Sequence, residues 1–571
     1  VLSKTRSAAG RAAAEAAFPL ALAGATALLY GPVLRLWWTH DDFNHFRYLL
    51  THRPYWYFFD GAALKAFSTK VFTPLLFFSL DLDRRLFGAD PHGFYLHQLA
   101  AVAACSAALY GVLSCWLPRA WAAVASWLFL VGPVTASLAS MLMVRHYLEA
   151  ILAALLAVGC WAAALRSAGK AAWGWSILSS ALYLAACLAK EVAVPLAVLL
   201  PFLPPPTGGR PLDLPRRLHL ALPHAAALVL YLGLRYAVLG SLFGRSGFTV
   251  EPSGLPALAL ALPAKIAAEL IGGRLSLAGV VLGLALAAGM FSLLLARSRR
   301  AAALAALALL LALLPVLTVS SQMQPRLAAA TWVVAVVAFA TGGRTLAGRG
   351  PGARRIAVGL AALACASGLW LNRRDWRDRF AEVERMSAEN RFFLDLREGD
   401  VLRHPLTLAA SLRELQWMKA NVYHRPPGGL WFQDDLYLCL HPELAGRVWG
   451  WRPAVRRVVD LTPRIPVLRR RHCSSIRGGA PLRAGFRFQG DDLFWDLGPY
   501  RQGTYRFVMA DGVEAYDMPR RAGFKVGPTR ALPLRIAYRS PAGWITYSPE
   551  LVARRESVLR WSRPPKRRSG G

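Results

Sequence analysis

At 571 residues, 55% of them hydrophobic, and with a mean hydropathy of +0.35, the chain is too apolar for an ordinary soluble protein. Its formal charge of +34 would suit a nucleic-acid binder, but the Arg and Lys residues of the apolar part fall in short loops between apolar stretches. A polytopic membrane protein is expected, and no nucleic-acid partner.

Apolar runs of about 17–22 residues match the hydrocarbon thickness of a bilayer and predict about 11 transmembrane helices. They lie near 17–37, 95–116, 120–138, 145–165, 173–189, 191–203, 218–239, 276–296, 301–319, 327–343 and 355–371. The sixth is short and contains Pro195, so a broken, tilted or re-entrant segment is expected there. No small-residue cleavage site follows the first, which therefore reads as a retained anchor.

Every second loop is basic: Arg119, then Arg166 and Lys170, then Arg210, Arg216 and Arg217, then Arg297, Arg299 and Arg300, then Arg344, Arg349, Arg354 and Arg355. With Lys4, Arg6 and Arg11 ahead of the first span, the positive-inside rule places the N-terminus in the cytoplasm. An odd number of spans then leaves the C-terminal part outside. Three divisions are expected: a transmembrane domain, 1–372; an extracytoplasmic soluble domain, 373–563; and a disordered basic tail, 564–571.

The connections also carry information. Residues 38–94 form a long outer loop rich in aromatic residues, Tyr55 to Phe59 among them, which predicts short helices along the membrane surface. A second outer loop, 240–275, contains an amphipathic stretch at Leu258–Leu270. Long ordered connections of this kind usually carry function. In the C-terminal part, helices are predicted at Trp376–Leu396 and Leu406–Ala420. Alternating segments such as Gly485–Phe488, Thr504–Val508 and Leu534–Tyr538 then predict strands, so an α+β or mainly β domain. Cys439 and Cys473 are an isolated pair that could form one disulfide, whereas the other cysteines lie in apolar segments and read as small core residues. No Cys/His spacing marks a metal site.

The best catalytic candidates are Asp41 and Asp42, an acidic pair directly after the first span. A carboxylate there meets water on one side and lipid on the other. On the predicted topology, the same outer face receives Arg145 and His146, Lys190 and Glu191, and Gln322, Gln324 and Arg326. Ionisable groups at membrane depth cost roughly 2.5–3.5 kcal/mol each on insertion scales, so they tend to mark function. Each has a structural alternative: Arg145 could snorkel to the headgroups, Lys190–Glu191 could be an ion pair at a helix break, Arg326 could anchor a loop, and His146 could be an interfacial histidine. His40 and His45 flank the pair without an assigned role. Asp81 and Asp83 form a DxD that could bind a metal but reads better as a solvated face. The dipeptides Asp434-Asp435 and Asp491-Asp492 read as turn or surface residues.

Taken in order, Asp41-Asp42-Phe43, Tyr95-Leu96-His97-Gln98-Leu99, Leu128 to Pro133, Arg145, Leu188 to Pro195 and Gln324-Pro325-Arg326 resemble the GT-C superfamily of polytopic glycosyltransferases. The likeness covers about residues 17–343 and is greatest to the branch of protein O-mannosyltransferases and transmembrane tetratricopeptide-repeat mannosyltransferases. The repeats themselves are absent. Gly132-Pro133 and Arg326-Leu327 stand where the family usually has His-Pro and Arg-Tyr.

The resemblance implies transfer of a sugar, with inversion, from a polyprenyl-phosphate carrier to a protein, glycan or lipid acceptor outside the cytoplasm, in a bacterial inner membrane. Asp41 would be the base, by analogy with the first acid of the family's pair, and Asp42 would orient the acceptor or a helix end. Arg145, Lys190 and Arg326, with His146 and Glu191 nearby, would hold the lipid phosphate. No cofactor is required; a divalent cation is compatible with the sequence but not demanded by it. The alternative is a non-catalytic membrane protein that binds or moves a lipid-linked phosphate.

Overall fold

A computed structural model describes residues 8–67, 72–209, 212–240, 242, 292–296, 298–317, 325–405, 412–444, 446–477, 482–489, 492–525 and 531–554. The second outer loop, Gln322, Gln324, most of the span at 276–296 and the basic tail lie outside them.

The N-terminal two thirds are helical: α1 Ala8–Tyr30, α2 Asp42–Thr51, α3 Gly61–Phe67, α4 Pro74–Phe87, α5 Pro91–Leu113, α6 Arg119–Leu130, α7 Pro133–Ser140, α8 Arg145–Arg166 and α9 Gly169–Ala189. There follow α10 Leu196–Leu199, α11 Leu214–Leu220, α12 Leu222–Leu239, α13 Arg299–Leu317, α14 Ala329–Ala347 and the 43-residue α15 Pro351–Phe393. Local sequence starts several of them. Proline opens α4, α5, α7 and α15, where its missing N–H costs nothing. The Asp90 side chain caps α5 by accepting from the His92 backbone N–H. Gly240, in the left-handed region at φ 74°, ends α12.

Among the described residues, 7 helices are long and apolar enough to cross a membrane, or up to 8 if α6 and α7 form one bent span. The described residues thus account for up to 8 of the expected spans, and most of the one at 276–296 lies outside them. The segment Glu191–Phe202 is too short to cross, in line with the break expected at Pro195. α6 and α7 meet at 53° across Gly132-Pro133. A Cβ on Gly132 would lie 2.3 Å from Trp332 Nε1, so the tryptophan of α14 occupies the room that a larger residue would need. That contact accounts physically for glycine at this position.

The C-terminal region contains helices α16 Leu412–Asn421, α17 Leu436–Leu440 and α18 Ile465–Ser475 and three sheets. In the first sheet, β1 Val401–Arg403 runs parallel to both β2 Leu430–Phe432 and β3 Val448–Arg452, and β4 Arg457–Asp460 pairs antiparallel with β3. Sequence reading missed these short parallel strands because buried runs of three to five residues show no alternation. A three-stranded sheet, β5 Arg483–Gln489, β6 Asp492–Gly498 and β9 Arg521–Lys525, faces a five-stranded one built from β7 Thr504–Met509, β8 Glu514–Met518, β10 Ala531–Arg539, β11 Ile545–Tyr547 and β12 Leu551–Arg554. The expected alternation holds: β5 buries Ala484 and Phe486 and exposes Arg483 and Arg487. Phe486, Trp495, Tyr505, Phe507 and Ile536 form the core between the two sheets. Cys439 on α17 and Cys473 on α18 are joined by a disulfide.

The helical part and the first portion of the C-terminal region share one core. Trp37, Trp38 and Phe43 belong to the same cluster as Val383, Phe393, Leu402, Leu415, Met418 and Trp431. The division proposed at 372/373 falls inside α15, which runs without interruption from the apolar helices to the first sheet.

Candidate active site

Between the apolar first helix and α2, the chain runs irregularly through Leu36 to Asp41. His40 lies in the left-handed region at φ 47°, a conformation that a side chain with a Cβ adopts at a cost of order 1–3 kcal/mol. This turn sends the two aspartates to opposite environments. Asp42 is buried, and its Oδ2 accepts from the Thr39 backbone N–H at 2.9 Å while Oδ1 accepts from the Met143 backbone N–H at 3.1 Å. It ties the loop to the chain just ahead of α8. Burial pushes the Asp42 carboxyl up to about 7, against the pull of the donors from Thr39 and Met143.

Asp41 is exposed, and its carboxylate has no hydrogen bond or ion pair among the described residues. Its backbone carbonyl accepts from the Asn44 and His45 N–H groups at 3.0 and 3.1 Å and meets the His45 ring Nδ1 at 2.8 Å. Burial holds both neighbouring histidines below the usual imidazole range, His40 at about 4. Burial therefore favours the neutral form of both, against the pull of Asp41 towards their charged forms.

Arg326, Lys190 and His146 form an electrostatically linked group that extends to His40. The charge of Arg326 reaches both His40 and His146, and that of Lys190 reaches His146 as well. Arg326 sits half-buried on a single turn, Pro325–Ala328, with no hydrogen bond or ion pair among the described residues. His146 Nδ1 is buried, with no hydrogen-bond partner among the described residues. Lys190 ends α9 in extended backbone, pairs with Glu191 Oε1 at 3.0 Å and lies 5.3 Å from the centre of the Tyr147 ring. Glu191 Oε2 has no hydrogen-bond partner among the described residues.

Arg145 stands apart from this group. It is fully buried, and its guanidinium donates to Gln98 Oε1 at 3.1 Å, to Ser79 Oγ at 3.3 Å, to the Phe94 carbonyl at 2.7 Å and to Asp83 Oδ2. His97 Nδ1 in turn meets Asp83 Oδ1 at 2.7 Å. The geometry thus differs from the expectation that Arg145 holds a phosphate: its donors are engaged inside the protein, and the Tyr95–Leu99 stretch supplies two of the partners. Nor is the DxD a solvated face. Asp81 is buried and paired at 2.7 Å with both Arg84 and Arg85, and Asp83 is the counter-ion of Arg145. Among the described residues, no group of three or more His, Cys, Asp or Glu could hold a metal ion.

Sequence reading also missed Glu149, one turn after Arg145, whose carboxylate oxygens are fully buried. The Arg145–Glu149 spacing of four on an apolar helix was the available signal. Asp434 and Asp435 do lie in a turn, but Asp434 is buried, with Tyr547 donating to it at 2.6 Å, and the half-buried Asp435 has both oxygens gripped by Arg403 at 2.7 Å. Asp491 lies outside the described residues.

No family model and no curated protein matches the chain. Among solved structures, ArnT from Cupriavidus metallidurans bound to undecaprenyl phosphate is 15% identical, with a TM-score of 0.41, covering 80% of this chain and 98% of that one. The archaeal oligosaccharyltransferase AglB from Archaeoglobus fulgidus, in complex with an inhibitory peptide and a dolichol-phosphate, is 12% identical, also with a TM-score of 0.41, covering 88% of this chain and 76% of that one.

Proposed function

We propose that the protein is an integral-membrane glycosyltransferase that moves a sugar from a polyprenyl-phosphate donor to an acceptor hydroxyl outside the cytoplasm, with inversion. The observation that carries this reading is the split of the acidic pair: Asp42 is built into the fold, while the Asp41 carboxylate, like the Arg326 guanidinium, has no hydrogen bond or ion pair among the described residues.

In the reaction, Asp41 takes the proton from the acceptor hydroxyl as its oxygen attacks the anomeric carbon. The bond from that carbon to the phosphate oxygen breaks, and the lipid phosphate leaves with the electron pair. Arg326 and Lys190 stabilise the charge growing on that phosphate, and His146 offers it a further polar contact. Glu191 keeps Lys190 in place. Asp42 holds the loop that carries Asp41, and Arg145 supports the start of α8. No metal or cofactor enters the scheme.

The N-terminus is assigned to the cytoplasm and the C-terminal region to the outside of a bacterial inner membrane, in keeping with the basic loops. The mannosyltransferase branch is the favoured relationship, on the motifs at 41–43, 188–195 and 325–326. Purified protein is to be incubated with undecaprenyl-phosphoryl mannose and candidate acceptors. Release of undecaprenyl phosphate that Asp41→Asn abolishes supports the enzyme. Binding of the lipid phosphate without turnover by any donor would instead establish a non-catalytic carrier protein.

A further inference from the structure

Local bonds engage Leu36, Thr39 and Asp41, but the buried backbone groups of Trp37, Trp38 and His40 need partners from elsewhere. One face of α15 supplies them. Ser387 Oγ accepts from the Trp37 backbone N–H at 2.7 Å, and Asn390 Nδ2 donates to the Trp38 carbonyl at 3.1 Å. Met386 Sδ receives the His40 backbone N–H at 3.4 Å. Because the Trp38 carbonyl only accepts, the Asn390 amide must turn its nitrogen to the loop, which leaves its Oδ1 buried and without a partner among the described residues.

The C-terminal region adds contacts from a second side. Trp38 Nε1 donates to the Tyr423 hydroxyl at 2.9 Å, and Arg47 on α2 pairs with Glu414 on α16 at 2.8 Å. The anchoring face of α15 is itself locked to the first sheet. Glu389, next to Asn390, is fully buried between Arg385, at 3.0 Å, and His404, which directly follows β1. Phe392 and Phe393 pack on Trp449 and Trp431 of β3 and β2, with ring centres 5.0 and 5.8 Å apart.

We infer that Ser387 and Asn390 are positioning residues for Asp41, and that the C-terminal region sets the catalytic loop through the Glu389–His404 pair. The strained turn at His40 aims Asp41 outward only while the backbone on both sides of it is held. The C-terminal region is thereby part of the active site's frame. As a statement about catalysis, this rests on the glycosyltransferase reading; as a statement about the loop, it does not.

The test uses the full-length protein in lipid nanodiscs. Amide hydrogen exchange of residues 36–42 is measured together with binding of undecaprenyl phosphate and turnover of undecaprenyl-phosphoryl mannose. Ser387→Ala and Asn390→Ala are each expected to speed exchange in 36–42 by about 10-fold or more, the mark of local opening. They are expected to lower kcat by about 10- to 100-fold with KM and lipid-phosphate binding unchanged, as misplacement of a catalytic group does. Ser387→Thr, which keeps the hydroxyl, should retain wild-type exchange and kcat. His404→Phe should loosen the same segment from the far end of the pair. Unchanged exchange at 36–42 in both Ser387→Ala and Asn390→Ala overturns the inference. Faster exchange in a protein whose wild type turns over no donor would uphold the positioning and refute the enzyme instead.

Discussion

Two basic sites at the ends of apolar segments have opposite surroundings. Arg145 is fully buried, with its donors shared among Gln98, Ser79, Phe94 and Asp83. Arg326 is half-buried and has no protein partner among the described residues. In sequence, the two look alike: an arginine opening a helix after an apolar stretch. The difference teaches that position at membrane depth is a weak sign of chemistry. What matters is whether the protein already satisfies the charge, because a guanidinium with its donors engaged must break them before it can hold a ligand. The same division separates Asp42 from Asp41, one residue apart.

The comparison can be broken most sharply at the acidic pair. Asp41→Asn should lower turnover by about 10²- to 10⁴-fold, the usual contribution of a general base, without changing expression or the unfolding midpoint. Equal losses from Asp41→Asn and Asp42→Asn in turnover alone would erase the distinction drawn between them. Next in size is Arg145→Met. It leaves Asp83 buried without its main counter-ion, and breaking such a pair costs about 3–5 kcal/mol, so poor yield and a lowered Tm are expected. Arg326→Gln should do the reverse, lowering kcat/KM by about 10²- to 10³-fold with Tm unchanged.

A smaller effect concerns pH. The Asp42 carboxyl is raised from 3.8 to about 7 in the folded protein, so between these values the folded state holds a proton that the unfolded state has lost. Its contribution to stability is complete below about pH 4 and is lost as pH rises through 7. Thermal unfolding in detergent should show that part of the decline from pH 5 to pH 8 disappears in Asp42→Asn. An identical slope in the variant would mean that Asp42 is ionised throughout.

Much of the site was legible in the sequence, for reasons of cost. Charged residues are rare in lipid-facing helices, so Asp41, Asp42, Lys190 and Arg326 stood out before any geometry was known. Their roles did not. Nothing in Thr39-His40-Asp41-Asp42 says which carboxylate faces inward, because the donors that claim Asp42 come from the Met143 backbone, about a hundred residues away. His97 and Gln98 looked like part of a family motif, and only the packed helices show them to be partners of the Arg145–Asp83 pair. The strands at Val401–Arg403 and Leu430–Phe432 were missed since their pairing is parallel and non-local.

By itself, then, the sequence determined a membrane-embedded helical protein with a β-containing C-terminal region, because apolar length and alternation are local properties set by bilayer thickness and strand pleat. Only the tertiary structure decided which of the embedded charges are satisfied internally and which are left open, and that α15 ties the loop of Asp41 to the far domain. Hydrogen bonding between segments hundreds of residues apart depends on how helices pack against one another, which no local pattern encodes.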